Sequence, residues 1–402
     1  MMRSAQGPAP GGGAFLVAAE ESADRLGAAL MQALRSHGEM RFAGVGGRSM
    51  AAEGLESLFP IEELPTVGLA AIPRRIASIL RRIRQTADAV VRARPDVLVI
   101  IDSPDFTHRV ARRVRKTAPW IPIVDYVSPS VWAWRPGRAR KMRAYVDHVL
   151  AILPFEPDVH RRLGGPPCTY VGHPLAEEVA SLRQNDAENL RRRADPPVVL
   201  VLPGSRPAEI RRLLDPFAGA LEIVRRRAGA FELLLPTVPA VAEKVRAATA
   251  RWPVTPKVIE DLQGKRQAFR VARAALAASG TVTLELALAA VPTVAAYRVA
   301  RWEAMIARAL IHVPSVILAN LVLRENVVPE FLQEDCTPER LADALVPLLR
   351  DGPERTRQLE AFGRLDEIME IATARPSRNA AEIVLAAARG ELKGYFRREI
   401  GR

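Results

Sequence analysis

The chain has 402 residues, of which 49% are hydrophobic and 26% are charged, and its formal net charge is +13 at pH 7. That length exceeds one ordinary hydrophobic core and predicts two domains of about 150–200 residues each, and the composition excludes an intrinsically disordered chain. Two cysteines, Cys168 and Cys336, exclude a disulfide framework and a cysteine-rich metal site, and they are typical of a protein from a reducing compartment.

The first half of the chain alternates between apolar runs and helical patterns. A disordered leader over residues 1–13 is predicted to precede a buried strand over residues 14–18, a turn over 20–24 and a helix. The glycine-rich residues 44–47 allow a tight turn or a close approach of backbone. Apolar residues at helical spacing predict a helix over 74–94, which Pro95 ends. Further strands are predicted at residues 97–101, 121–127 and 148–153.

The second half repeats this alternation after a crossing rich in proline and glycine. Strands are predicted at residues 198–202, 231–235, 257–259, 274–278 and 293–297. Two successive arrays of this kind predict an α/β protein with two Rossmann-like, doubly wound domains that face an interdomain cleft. We place the domains at residues 14–175 and 176–365, and we expect the helices of residues 366–402 to pack back on the first domain.

An anion site is predicted where a strand of the second domain ends. Ser279, Gly280 and Thr281 follow the apolar run and open a helix, whose first N–H groups and positive dipole end favour a phosphate. Glu285 lies one helical turn later and can accept both hydroxyls of a ribose. Arg206 follows another strand end of the same domain and can supply a bidentate fork to a diphosphate. Taken alone, the Ser-Gly-Thr turn could equally be an ordinary helix cap.

Asp102 and Asp105 stand at the carboxyl end of the predicted strand 97–101. A carboxylate desolvated by apolar neighbours has a raised pKa, which suits a general base. The structural alternative is that one of the two only caps the following helix, and Asp105 is the better capping candidate.

Residues 127–138 read V-S-P-S-V-W-A-W-R-P-G-R. Pro129 and Pro136 cannot donate to a sheet, so this segment is predicted as a loop that displays Trp132, Trp134 and cationic groups. A purely structural interpretation, in which both indoles fill a seam between domains, remains open.

The net charge allows three kinds of partner, namely nucleic acid, an anionic membrane surface or a phosphorylated substrate. The absence of any known nucleic-acid-binding signature argues against the first. No apolar run reaches the ~18–20 residues of a membrane span, and the leader lacks the apolar core of a signal peptide, so we expect a cytoplasmic protein. Residues 64–82 and 301–311 are both apolar and basic, which is typical either of an amphipathic helix packed on a core or of one docked on a membrane surface.

Several of these motifs together resemble the lipid-A-disaccharide synthase family, a GT-B type of glycosyltransferase. Ser-Pro-Ser-Val-Trp-Ala-Trp is the most specific of them, and the resemblance runs from about residue 14 to residue 334. The other matching segments are residues 44–47, 101–106, 153–156, 172–174, 202–206, 279–285, 297–298 and 328–334. The resemblance implies that UDP-2,3-diacylglucosamine and 2,3-diacylglucosamine 1-phosphate are condensed, with inversion, to a β-1,6-linked disaccharide 1-phosphate and UDP.

The resemblance also implies roles for residues and partners. Asp102 matches the family's proposed base, although the sequence alone leaves Asp105 open. The residues expected on the donor side are Arg206, Ser279, Gly280, Thr281, Glu285 and Asn320, and those expected on the acceptor side or in the cleft are Glu20, Ser22, Asp105, Ser128, Trp132, Trp134 and Arg298. No metal and no cofactor is expected. The expected partners are the two lipid substrates and the anionic inner-membrane surface, where the protein would be peripherally bound; nucleic acid is not expected, and a homodimer is compatible with the family.

Three positions depart from the family's pattern. Ala19 and Ala23 replace glycines that usually flank the first strand, and Arg324 replaces a loop glycine. An alanine strains or narrows a turn that needs positive φ, and Arg324 adds a phosphate contact or obstructs the cleft. Two other functions stay open at this point: another GT-B enzyme acting on UDP-N-acetylglucosamine, such as an epimerase or a transferase to a different lipid, and a non-catalytic protein that binds membranes or nucleic acid.

Overall fold

The structure is a computed structural model that describes residues 12–64, 73–300, 302–305 and 313–392. The chain divides into two compact units. Unit 1 contains the described residues up to Pro174 together with those from Ala374 onward, and unit 2 is Leu175–Thr373. Most of the predicted leader lies outside the described residues. No described helix is both long enough and apolar enough to cross a membrane.

Unit 1 is built on a six-stranded parallel sheet. Its strands are β1 Gly12–Ala18, β2 Met40–Val45, β3 Val97–Ile101, β4 Ile123–Tyr126, β5 His148–Ala151 and β6 Cys168–Tyr170. They lie in the order β2-β1-β3-β4-β5-β6. Every residue of the central strand β3 is buried, because helices cover both faces of the sheet. These helices are α1 Glu21–Arg35, α2 Arg48–Ala52, α3 Pro73–Ala93, α4 Thr107–Thr117, α5 Gly137–Met142 and α6 Glu156–Leu163.

Unit 2 repeats the plan with a second six-stranded parallel sheet. Its strands are β7 Val198–Leu202, β8 Glu232–Pro236, β9 Lys257–Ile259, β10 Ala274–Ala278, β11 Thr293–Tyr297 and β12 Glu330–Leu332, in the order β12-β11-β10-β7-β8-β9. Its helices are α7 Leu175–Leu182, α8 Asp186–Arg193, α9 Pro207–Ala228, α10 Pro239–Thr249, α11 Leu262–Val271, α12 Thr281–Leu288, α13 Leu318–Leu323, α14 Pro338–Leu348 and α15 Pro353–Ile368. The α/β class and the two Rossmann-like units are therefore confirmed.

The last described helix, α16 Pro376–Ala388, returns to unit 1. Its Ile383 and Val384 are buried in one core with Leu30 of α1. The Asn379 side chain donates a hydrogen bond to the Val171 carbonyl at 3.0 Å. One face of the first sheet is therefore covered by a helix that follows the whole of unit 2 in the chain.

The predicted turn over residues 20–24 is wrong, because α1 already begins at Glu21. Its Asp24 is buried and accepts hydrogen bonds from the backbone N–H groups of Gly47, Ser49 and Met50 at 2.7, 2.8 and 3.1 Å. This carboxylate holds the start of α2 against the first turn of α1. An acidic residue that looked like part of a turn is thus a buried tie between two helices.

Neither alanine that replaces a family glycine is strained. Ala19 and Ala23 are absent from the positive-φ residues, and both pack in the buried core of unit 1. Arg324 differs, since it ends α13 in the left-handed conformation with φ 55 and is exposed. The backbone conformation at position 324 therefore explains why the family usually has glycine there.

Replacing Arg324 with glycine is expected to stabilise unit 2 by about 1 kcal/mol, since a side chain in the left-handed region costs roughly that much. The matched control is Arg389→Gly, because Arg389 caps α16 with an ordinary φ of −84. That control should be neutral or destabilising. Urea unfolding of the two variants and the parent protein measures both changes, and a stabilisation by the control alone would contradict the argument.

Candidate active site

Asp102 follows the central strand of unit 1 in a strained turn. Asp102 and Ser103 have φ values of 51 and 45, which residues other than glycine rarely adopt. The turn is fixed on both sides: the Asp102 N–H donates to the Tyr126 carbonyl at 2.9 Å, and the Thr107 hydroxyl donates to the Asp102 carbonyl at 2.6 Å. Strain of this kind persists only where the surroundings impose it, and it is concentrated at functional sites.

The environment of the Asp102 carboxyl suits a general base. Burial raises the pKa of Asp102, the hydrogen bond from the Ser103 N–H at 2.7 Å lowers it, and the nearby Glu20 and Asp125 raise it further. Asp105, by contrast, is exposed and faces the Arg138 guanidinium at 3.3 Å. The geometry therefore favours Asp102 over Asp105 as the base, a choice that the sequence had left open.

Glu20 lies beside this turn. Its carboxylate accepts a hydrogen bond from the Ser103 hydroxyl at 2.8 Å, so it holds the residue that in turn donates to Asp102. Ser22 is exposed on the first turn of α1. The structure thus brings Glu20 into the immediate surroundings of Asp102 through Ser103.

The predicted loop with two tryptophans uses them differently. Trp132 donates from its indole N–H to Glu156 at 3.2 Å and packs edge-on against Phe155 at 5.5 Å between ring centroids, so it fixes the loop to α6. Ser128 is buried and lies 2.8 Å from His160 Nε2. Trp134 carries the Arg135 guanidinium over its ring at 4.3 Å. Trp132 and Ser128 are therefore internal supports of unit 1, whereas Trp134 presents a cation.

Glu156 is a fully buried carboxyl under this loop. Burial raises its pKa from 4.5 to about 8, although N–H groups of Leu153, Trp132 and Ile152 lower it. Between these two values the native state holds a proton that the unfolded state has released, so stability falls as pH rises.

We expect Glu156 to contribute a decline in the free energy of unfolding between pH 4.5 and about 8, by at most ~1.4 kcal/mol per pH unit, which appears as the difference between the parent protein and Glu156→Gln. Glu156→Gln removes this decline because an amide does not titrate, and exposed Glu39→Gln serves as the control. Urea unfolding followed by fluorescence at pH 5, 6, 7 and 8 measures the slopes. Parallel slopes for the parent protein and Glu156→Gln would show that this carboxyl titrates alike in both states.

Unit 2 contains a pocket of about 530 Å³ at the carboxyl ends of its strands. Ser279, Gly280 and Thr281 line it, and α12 begins at Thr281, so the positive end of this helix faces the pocket. Arg206 and Glu285 also line it. Five of the six residues predicted on the donor side therefore lie around one cavity, with a helix N-terminus and a guanidinium as anion-binding groups.

Lys265 and Tyr297 also line the pocket, although neither was a predicted site residue. Lys265 of α11 forms an ion pair with Glu285, with Nζ and Oε2 2.6 Å apart, and Tyr297 closes another side of the pocket. Burial raises the pKa of Tyr297, which keeps its hydroxyl protonated. Nothing in the local sequence marks Lys265, because its partner lies 20 residues later on a different helix.

Asn320, expected on the donor side, and Arg298, expected on the acceptor side or in the cleft, are both engaged with the backbone of unit 2. Asn320 is 3% exposed, and its side chain bonds the backbone of Val327 and Val328, so it shapes the loop after α13. Arg298 donates to the carbonyls of Gln333 and Cys336. Both side chains are thus used inside unit 2, and neither lines the pocket.

The two apolar and basic stretches are only partly described. Residues 65–72, 301 and 306–312 lie outside the described residues. Within the described part of the first stretch, Leu64 is buried and Ile79 packs against the core of unit 1, whereas Leu80 is 40% exposed. In the second stretch Trp302 and Met305 are 48% and 69% exposed.

The sequence matches a known family over most of its length. A family model described as lipid-A-disaccharide synthetase covers residues 14–384. The chain is 62% identical over 373 residues to the lipid-A-disaccharide synthase of Nitrobacter hamburgensis, an alignment that covers 92% of this chain and 94% of that protein. It is 61% identical over 386 residues to the protein of the same name from Bradyrhizobium diazoefficiens, with 96% and 98% covered.

Solved structures share the fold at low sequence identity. The S. aureus MnaA–UDP co-structure superposes with a TM-score of 0.59 at 12% identity and covers 95% of this chain and 97% of that one. Acinetobacter baumannii MurG gives a TM-score of 0.56 at 15% identity, with 94% and 99% covered. These likenesses confirm a fold of the GT-B type.

Proposed function

Because this chain belongs to the lipid-A-disaccharide synthase family, we propose that it joins UDP-2,3-diacylglucosamine to 2,3-diacylglucosamine 1-phosphate. The family consists of glycosyltransferases of lipid A biosynthesis, and this chain is one of them. The products of the proposed reaction are the β-1,6-linked disaccharide 1-phosphate and UDP.

The observation that carries the proposed mechanism is the half-buried Asp102 carboxylate in its fixed turn. It accepts the proton of the acceptor 6-hydroxyl while that oxygen attacks the anomeric carbon of the donor. The bond from the anomeric carbon to the UDP oxygen breaks with its electron pair on UDP. Attack opposite the leaving group turns the α-linked donor into a β-linked product, and a base with a raised pKa holds the transferred proton well.

The pocket of unit 2 is the proposed donor site. The start of α12 and Arg206 place N–H donors and positive charge where the diphosphate gains negative charge as it leaves. Glu285, held by Lys265, accepts the ribose hydroxyls. This arrangement supports departure of UDP through protein groups alone.

Substitution of a residue that binds the donor should lower the affinity for UDP. Glu285→Gln is expected to weaken UDP binding by about tenfold or more, because a hydrogen bond to a charged group contributes roughly 1.5–3 kcal/mol. The exposed Glu243→Gln on α10 is the matched control and should bind UDP normally. Titration calorimetry with UDP measures both, and equal affinities for the two variants would remove Glu285 from the donor site.

We also propose that the protein works at the cytoplasmic surface of the inner membrane. Both proposed substrates carry two acyl chains, the chain has a net charge of +13, and Trp302 and Met305 are exposed. Cationic and apolar groups together favour an anionic membrane surface. Co-sedimentation with vesicles of phosphatidylglycerol and of phosphatidylcholine tests this, and equal binding to the two would contradict it.

The decisive experiment is UDP release from UDP-2,3-diacylglucosamine in neutral detergent micelles, with and without 2,3-diacylglucosamine 1-phosphate. Release that depends on the acceptor is the expected result. Release without acceptor, or conversion of UDP-N-acetylglucosamine alone, would instead indicate the alternative of another enzyme that acts on UDP-sugars. No release under any condition would overturn the proposed reaction.

A further inference from the structure

Two guanidinium groups of unit 1 share one indole. The Cζ atoms of Arg135 and Arg138 lie 4.3 and 5.7 Å from the ring centroid of Trp134. A guanidinium on an aromatic face is held in place while its N–H groups stay available at the edges. Trp134 therefore orients two cations without consuming their hydrogen-bond donors.

Arg135 and Arg138 on Trp134 form a cluster whose positive charge is only partly neutralised. Arg135 is exposed and forms no side-chain hydrogen bond or ion pair with any described residue. Arg138 is 15% exposed, and its ion-pair partner is Asp105 at 3.3 Å, which is itself 65% exposed. Among the described residues Asp105 is therefore the only ion-pair partner of these two cations, and their remaining positive charge favours a further anion.

The backbone holds Arg135 in an unusual conformation. Its φ is 52, a value that costs roughly 1–2 kcal/mol for a residue with a side chain. The packing of Trp132 against α6 fixes the loop just before it. The loop is thus built to present this arginine, as ligand clamps commonly are.

Asp105 links the two arginines to the turn that carries the proposed base. Asp105 follows Asp102 by three residues in the same turn, and Arg138 contacts Asp105. In the proposed acceptor the 1-phosphate on C1 and the 6-hydroxymethyl group on C5 flank the ring oxygen of a single glucosamine. We propose that Arg135 and Arg138 bind the 1-phosphate of the acceptor while Asp102 contacts its 6-hydroxyl, an inference that rests on the proposed function.

A phosphate monoester suits this pair of side chains because each guanidinium can donate two parallel hydrogen bonds to it. Asp105 then competes with the phosphate for Arg138. The cluster thereby selects an acceptor that carries the phosphate over one that lacks it. A phospholipid headgroup offers similar chemistry, so the experiment has to separate the two sources.

The test compares kcat/KM for 2,3-diacylglucosamine with and without its 1-phosphate, in neutral detergent micelles. The parent protein should prefer the phosphorylated acceptor. Arg135→Gln and Arg138→Gln should each lower kcat/KM for it by about tenfold or more and leave the other acceptor unchanged. Arg143→Gln, an exposed neighbour just after α5, is the control and should keep the preference. Asp105→Asn should raise kcat/KM for the phosphorylated acceptor or leave it unchanged.

Two outcomes overturn this inference while the proposed function stands. In one, both arginine variants keep the full preference for the phosphorylated acceptor. In the other, they keep that preference but lose binding to phosphatidylglycerol vesicles, which would assign the cluster to a lipid headgroup. If the parent protein itself shows no acceptor-dependent release of UDP, the proposed function has failed instead.

Discussion

Asp102→Asn is expected to lower kcat by about 10²- to 10⁴-fold, the usual contribution of a general base. Asparagine has the same shape and its side-chain oxygen can still accept the Ser103 N–H, so the strained turn should persist. The proposed UDP pocket lies in unit 2, so the affinity for UDP should not change. Single-turnover transfer assays together with UDP calorimetry measure the two effects separately.

The stability of Asp102→Asn shows whether a loss of activity comes from the missing base or from a damaged fold. The pKa of Asp102 is raised in the folded state, so near neutral pH its ionisation opposes folding, and this penalty disappears at low pH. Asp102→Asn should therefore be at least as stable as the parent protein at pH 7. For the parent, kcat/KM should fall as pH drops through the raised pKa. An Asp102→Asn variant that is stable and fully active would place the base elsewhere.

Gly44→Ala is expected to destabilise unit 1 by about 3 kcal/mol or more. Losses of stability this large are typical of clashes that the structure cannot relieve. Gly44 has φ 153, and a Cβ atom there would lie 1.9 Å from the Leu16 carbonyl oxygen. Leu16 belongs to β1 and pairs with Gly44 across the sheet, so neither backbone can move without breaking the ladder.

Gly13→Ala is the matched control, because Gly13 lies in the same sheet and a Cβ there meets nothing within 4 Å. The control should unfold at nearly the parent's urea midpoint, whereas Gly44→Ala should unfold at a much lower midpoint or be recovered as aggregate. Similar midpoints for the two variants would mean that the sheet tolerates the change.

The strands of unit 2 could be predicted closely from sequence. The predicted strands 198–202, 257–259, 274–278 and 293–297 coincide with β7, β9, β10 and β11. Most are short, nearly continuous apolar runs between turn residues, and this pattern is typical of a parallel strand that is covered on both faces. Strands β6 and β12 were not predicted; each has only three residues at the edge of a sheet and no fully buried position. Because β9 shares these features and was predicted, strands this short are found only inconsistently from sequence.

Candidate site residues could be predicted from sequence where their position after a strand determines their place in the fold. Asp102 follows a strand of the first sheet, and Gly280 and Glu285 follow a strand of the second. In each sheet the carboxyl ends of parallel strands are where such residues collect. The hydrogen bonds of Asn320 and Arg298 could not be predicted, because they depend on which carbonyls and N–H groups the folded loops bring near them. The same holds for Trp132, whose partner Glu156 lies 24 residues later. Such partners are set by tertiary packing, which no local pattern encodes.

The return of α16 to unit 1 affects the order in which the two units can fold. Unit 2 is one uninterrupted stretch of chain, whereas the core around Leu30 and Val97 is closed only by Ile383 and Val384. Until residues beyond 388 have left the ribosome, the part of the first core that α16 covers stays exposed, although α1 already packs beside it. We therefore expect unit 2 to mature first although it is translated later, and the nascent first half to depend on a chaperone during that interval.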